Sequence, residues 1–267
     1  MTTDEQLWKR YHEEMNTKTK YFEHYHAKII QPPSFLRLSN KKAHLMTPKD
    51  KTTQYENVSV IKPTVTGPAP VSCTGEWRIR EDILTYEKVD FLPPPLVCEE
   101  NTFNMYFGLR AEILPPVADN IDISMFHSHL HILCGAEEKA TEYVLNYLAH
   151  LVQFPGTLPR VGLVFISSQG VGKNIFFENF AKSVLGPDLY LQTDNMDKII
   201  GRFNMNHNKL LLIMDEVQGK DSFANSEAIK NMITAGELQL ERKGCDPVTI
   251  HNCGRSILIS NNIHQSR

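Results

Sequence analysis

From about Ile123 onward, short apolar runs alternate with stretches of helical spacing. In residues 137–152, Tyr143, Val144, Tyr147, Leu148, Leu151 and Val152 recur at i, i+3 and i+4. This predicts an amphipathic helix, ended by Pro155 and Gly156. Residues 161–166 (VGLVFI) are nearly all apolar, which predicts a strand buried on both faces. Residues 173–185 read as a helix closed by Gly186 and Pro187. A second buried strand is expected over 209–214 and a second helix over 225–235, ended at Gly236. Residues 238–242 and 248–252 flank a Lys-Gly-Cys-Asp-Pro turn and predict a hairpin, and residues 256–260 (SILIS) predict a third buried strand. Strand and helix alternate, so the expected fold class is α/β, a parallel sheet core with a hairpin inserted before its last strand.

The chain before this core has a different texture. Residues 4–28 are rich in helix formers with a sparse apolar set at Leu7, Tyr11, Tyr21 and Tyr25, which predicts a helix. Pro32, Pro33 and Pro48 break up 31–51, while Pro63, Pro68, Pro70 and the Pro93–Pro95 triplet predict extended, irregular chain. Residues 1–100 are therefore expected to be a partly helical, irregular lead-in. Residues 101–267 are expected to form the core, with a helical lead over 123–154 and a C-terminal end short of a full sheet.

Composition narrows the class of protein. With 41% hydrophobic and 22% charged residues, the 267-residue chain is ordinary for a globular protein, which excludes collagen-like, mucin-like and wholly disordered chains. No apolar run approaches the ~20 residues that span a bilayer, and the first ten residues (MTTDEQLWKR) hold no apolar signal core. The expectation is a soluble intracellular protein, cytoplasmic or nuclear in a host, with no membrane partner. Five scattered cysteines argue against a disulfide framework. Residues 1–60 hold ten Lys and Arg against seven Asp and Glu, a net of +3 in a chain of net charge −3. Any grip on nucleic acid must therefore be local.

Candidate chemistry begins where the first buried strand runs into SSQGVGKN, residues 167–174. Gly170 and Gly172 let backbone N–H groups turn toward phosphate oxygens, with Ser167, Gln169 and Val171 completing the loop. Lys173 reaches the β/γ-phosphates, and the following helix adds the positive end of its dipole. Against the G-x-x-x-x-G-K-[ST] pattern, Ser167 replaces the first glycine and Asn174 the hydroxyl residue that meets Mg²⁺; an amide oxygen is also an acceptable ligand for a hard cation. The second strand runs straight into Asp215 and Glu216. Two acids at the carboxyl end of an apolar strand are costly unless solvated or paired with a cation. Asp215 is the candidate Mg²⁺ ligand, and Glu216 the candidate base for an attacking water. The third strand ends in Asn261 and Asn262, an amide suited to holding that water beside a γ-phosphate.

These motifs, in this order, together with the residues Lys230 to Thr234 and the hairpin before the asparagine strand, resemble superfamily 3 helicases. The text is similar above all to the helicase domain of NrS-type phage primase-polymerases, relatives of poxvirus-type primase-helicases. Upstream, Asp90-Phe91, residues 104–108 (NMYFG), His131 and residues 147–153 also resemble that group, so the likeness spans 90–262. It implies an AAA+-like P-loop NTPase that uses ATP and Mg²⁺, assembles as a hexameric ring of identical chains around single-stranded DNA, and works beside a primase or polymerase. It further implies that the hairpin carries a basic group to the DNA backbone, with Lys243, Arg242 and His251 as candidates. The family's arginine finger follows the asparagine strand by a dozen or more residues, whereas Arg267 lies five after Asn262. Two alternatives remain: a nucleotide-binding scaffold or loader with weak ATPase activity or none, and a P-loop phosphotransferase. The second needs a lid of arginines, and Arg202, Arg242 and Arg255 are widely spaced. HSHLHILC offers His127, His129, His131 and Cys134 to a metal; on a helix His127 and His131 share a face with Cys134 one turn later and His129 points elsewhere, which leaves zinc short of four ligands, so packed or exposed helix histidines are expected there.

Overall fold

The computed structural model describes residues 3–39, 42–115, 121–201, 208–215, 219–240 and 247–261, with the backbone alone of 219–225 and 240. The chain divides into two compact units, one of residues 1–89 and 99–105, the other of 90–98 and 106–267.

The first unit is more regular than its prolines suggest. Helix α1 (Thr3–Tyr25) buries Tyr11, Met15, Thr19 and Phe22, a stripe spaced by three and four residues. Strands β1 (His26–Ile29), β2 (Ser34–Ser39), β3 (Lys42–Met46) and, further on, β6 (Thr85–Tyr86) form a sheet in the order β3-β2-β1-β6. Between β3 and β6 lie helix α2 (Pro48–Gln54), the antiparallel pair β4 (Ser59–Lys62) and β5 (Ala69–Ser72), and helix α3 (Cys73–Arg78). The short strands β7 (Lys88–Asp90) and β8 (Thr102–Asn104) pair with each other. The prolines do not break this unit because they stand where no amide hydrogen is needed. Pro32 and Pro33 lie in the turn between β1 and β2, and Pro48 is the first residue of α2. Phe22, Phe35, Cys73 and Trp77 centre the core.

The second unit opens with helices α4 (Arg110–Ile113), α5 (Ser124–Leu133) and α6 (Glu138–Gln153). Strand β9 (Gly162–Ile166), helix α7 (Lys173–Phe180) with a π-helical turn over Ala181–Leu185, strand β10 (Tyr190–Thr193) and helix α8 (Asp197–Ile200) follow. Next come strand β11 (Leu211–Met214), helix α9 (Gly219–Thr234), the antiparallel hairpin β12 (Glu237–Leu240) and β13 (Val248–His251), and strand β14 (Arg255–Ser260). The four strands β10, β11, β14 and β9 pair in that order, all parallel. Both faces of β11 are buried, as its apolar run predicts. Strand β9 differs from expectation: it lies at the edge, burying Leu163 and Phe165 while Val164 and Ile166 are 60% and 41% exposed. Its run of apolar residues does not distinguish a covered strand from an edge strand.

Arg255, at the start of β14, is buried and held by oxygens. Its guanidinium donates to the carbonyls of Phe154 at 2.8 Å, Thr157 at 2.9 Å, Pro155 at 3.2 Å and Cys253 at 3.3 Å. It thus ties the C-terminal end of α6 to the sheet. Burial lowers its pKa to about 10. Among the described residues, no helix is long and apolar enough to cross a membrane.

Candidate functional site

Three parallel strands deliver three chemical groups to one edge of the sheet. The register sets Ser260 of β14 beside Ile166 of β9, and Leu258 beside Met214 of β11. The residues that follow, Ser167, Asn261 and Asp215, therefore leave the sheet at the same end. Because β14 lies between β9 and β11, Asn261 stands between the loop and the acid. This is the carboxyl end of the strands, where open α/β sheets place ligands.

The lysine is the hub. Lys173 is 5% exposed, and its ammonium donates to Ser167 Oγ at 2.7 Å, Ser167 O at 3.0 Å, Ser168 O at 3.1 Å and Asn261 Oδ1 at 3.1 Å. All four acceptors are neutral. Burial pulls the ammonium below its ordinary pKa, and the nearby Asp215 charge opposes that shift. Asn174, one residue on, donates its side-chain amide to Asp215 Oδ2. The start of α7 is thereby tied to two strand ends, through Lys173 to Asn261 after β14 and through Asn174 to Asp215 after β11. Sequence reasoning gave Asn174 to a cation through its amide oxygen; here its NH₂ group orients the carboxylate.

The loop backbone suits an anion. Gly170 and Gly172 both sit at φ +90°, where a side chain would be strained, and a Cβ on Gly170 would meet no atom within 4 Å. Gln169, Gly170 and Val171 form the exposed face of this turn. Gly172 is the N-cap of α7, and no side chain caps that helix. Its amide end is therefore open toward the loop.

A residue with no assigned part in the sequence reading lies against this loop. His129 of α5 places Nε2 3.4 Å from the Val171 carbonyl and sets its ring edge-on to Phe176 at 5.3 Å. A Cβ on Gly172 would come within 2.7 Å of that nitrogen. The available signal was the spacing of Phe126 and His129, one turn apart on one helix, since Phe126 also stacks on Phe176. Of the other residues considered for metal, His131 hydrogen-bonds Thr141 at 3.1 Å. Among the described residues, no three His, Cys, Asp or Glu gather as a metal site.

The hairpin is described up to its turn. His251, at its base, pairs Nδ1 with Asp90 Oδ2 at 2.8 Å, and its backbone N–H donates to Asp90 Oδ1 at 3.1 Å. Asp90 thus clamps the returning strand, a contact that no local pattern predicts across 161 residues. Glu216, Arg242, Lys243, Asn262, Arg202 and Arg267 lie outside the described residues.

A family model described as a family of unknown function (DUF5906) matches residues 165–267, the stretch that contains the loop, both later strands and the hairpin. No curated protein matches. Among solved structures, the apo C-terminal region of NrS-1 is similar over 89% of this chain and 54% of that one, at 19% identity and a TM-score of 0.66. Its A form is similar over 88% of this chain and 53% of that one, at 18% identity and a TM-score of 0.65. The chain spans about half the length of those structures. It therefore shares its mixed α/β fold, built on a parallel sheet, with the C-terminal region of NrS-1.

Proposed function

We propose that the chain carries the ATP-hydrolysing core of a replication helicase of superfamily 3 type, working as a ring around single-stranded DNA. The observation that carries this reading is the meeting of Lys173, Asn261, Asn174 and Asp215 at the ends of three adjacent strands. A buried ammonium whose hydrogen-bond partners are all neutral oxygens, beside an uncapped helix end, suits the oxygens of a triphosphate. Asp215 and the amide oxygen of Asn174 are the hard oxygen donors that Mg²⁺ prefers. Bound there, Mg²⁺ would supply neutralisation of the phosphate oxygens.

The chain's own residues supply the rest. On this reading Lys173 exchanges its contacts with Ser167 and Ser168 for β- and γ-phosphate oxygens. Gly170 and Gly172 shape the turn that presents amides to the phosphates. Glu216 takes the proton of the attacking water, and the Asn261 amide holds that water in line with the γ-phosphate. Hydrolysis would then move the hairpin, whose Lys243 and Arg242, with His251 at its base, would track DNA phosphates. The fold likeness to the C-terminal region of NrS-1 and the motif order both support a replication setting.

Steady-state ATP hydrolysis with and without single-stranded DNA tests the proposal. Turnover stimulated by DNA and lost in Lys173→Ala and Glu216→Gln supports the motor. Tight ATP binding with no turnover in any condition supports the scaffold or loader instead.

A further inference from the structure

The first unit holds a concave site remote in sequence from the phosphate loop. A cavity of about 400 Å³ opens among β1, β2, α2 and α3, within the size range of small-molecule sites. Pro33 and Pro48 give it apolar walls over a floor of Ile29 and Phe35, which are only 1% and 3% exposed, and two cations, Lys28 and Arg78, stand at it with no carboxylate among the lining residues. The neighbouring Ile79 is 74% exposed, an apolar side chain left in water beside the Arg78 cation.

A third cation lies behind the wall. Lys51 is fully buried, with its ammonium 4.2 Å from the Phe35 ring centroid and 3.2 Å from that of Trp77, and with no hydrogen-bond partner. Arg78 places its guanidinium carbon 5.7 Å from the same Phe35 ring. Two cations therefore act on one ring that lines the cavity. A cation–π contact offsets only part of the cost of burying a charge. The local field is positive and the accessible walls, Pro33, Pro48 and Ile79, are apolar, which calls for a ligand with an anionic end and a flat apolar face.

We infer that this cavity binds a nucleotide, its base against Pro48 and Ile79 and its phosphate on Arg78 and Lys28, supplied as free nucleotide or as one unit of a single strand. The choice of a nucleotide over other planar anions rests on the proposed replication function; the cavity and its cations do not. Phosphate contacts of this kind weaken with salt, and base contacts on apolar faces tolerate any base.

The test uses the full chain carrying Lys173→Ala, which removes the phosphate loop from the signal. Its tryptophan fluorescence is titrated with thymidine monophosphate, with a dT oligonucleotide and with inorganic phosphate. Both tryptophans, Trp8 and Trp77, lie in the first unit. Saturable binding of the monophosphate, the oligonucleotide or both is expected, and which of them binds identifies the source. Arg78→Glu and Ile79→Asp, both at exposed positions, should each weaken it at least tenfold while circular dichroism stays unchanged. Equal binding by the parent and Arg78→Glu overturns the inference, as does response to inorganic phosphate alone or to none of the three. ATP binding by the chain with Lys173 intact is measured in parallel, so a failure here is distinct from a failure of the phosphate loop.

Discussion

Lys51 and Lys173 are both buried lysines on short helices, one in each unit, and their surroundings are opposite. Lys173 is wrapped by oxygens, four of them within 3.1 Å. Lys51 is wrapped by the rings of Trp77, Phe35 and Phe22. The helix ends differ in the same sense. Helix α2 is closed by a capping box, in which Thr47 accepts from the Asp50 amide and Asp50 accepts from the Thr47 amide. Helix α7 starts at a glycine with no side-chain cap. A closed helix end with an apolar lysine is a structural solution that spends stability on burying a charge. An open helix end with a polar lysine keeps its charge among polar groups and leaves backbone amides without a side-chain cap.

The contrast is broken most directly at Lys173. Lys173→Ala removes the charge at the loop and should lower ATP turnover or ATP affinity by about 10²–10³-fold, the scale of losing one charge-stabilising donor. Fluorescent-nucleotide titration and steady-state hydrolysis read it, and unchanged binding would remove the loop from the mechanism. Arg255→Ala comes next, as a test of how the second unit pays for a cation with no phosphate role. The four backbone carbonyls within 3.3 Å lose their shared donor, so the unit should lose about 3 kcal/mol. Faster hydrogen exchange in Leu211–Met214 would register the loss, and Arg255→Lys should recover little of it because an ammonium cannot reach all four.

Sequence alone placed the second unit's strands and their polar ends far better than the first unit's interior. The strand ends at Ser167, Asp215 and Asn261 were legible because a buried parallel strand announces itself as an apolar run and polar groups at its end stand out. Strand β10 was not anticipated, since YLQT has too few apolar positions to register. The sheet of the first unit was not anticipated either: proline density suggested irregular chain, yet Pro32 and Pro33 fall in a turn, Pro48 at a helix start, and Pro70 within the two-stranded pair β4–β5. Lys51 gave no signal, because its burial depends on Phe22, Phe35 and Trp77 arriving from three elements. Arg255 and Asp90 were silent for the same reason, their partners being about a hundred or more residues away.

A pH titration sharpens the comparison from the first unit's side. Burial lowers the Lys51 pKa from 10.5 to about 7. Below about 7 the group is charged in the folded and unfolded chain, and the full burial penalty applies. Between about 7 and 10.5 the unfolded chain binds the extra proton, so stability rises with pH by up to about 1.4 kcal/mol per unit. Lys51→Met removes the charge and keeps the apolar stem, so it should stabilise the first unit by about 2 kcal/mol at neutral pH. The gain should fade as pH approaches 10.5. Urea unfolding followed by tryptophan fluorescence reports this unit alone, and a gain that is flat from pH 7 to 10 would contradict the assigned protonation change.

The smallest expected effect asks whether the closed helix end is what keeps Lys51 among the rings. Thr47→Ala opens the capping box and should cost about 1 kcal/mol in the Lys51→Met background, where only the cap is at stake. In the chain with Lys51 intact, fraying of the first turn of α2 would let water reach the ammonium and relieve part of its burial penalty. The same substitution should therefore cost less there, and the difference between the two costs is the coupling between cap and cation. Equal costs in both backgrounds would mean that Trp77 and Phe35 hold the lysine without help from the helix end, and that the capping box and the buried charge are independent features of the unit.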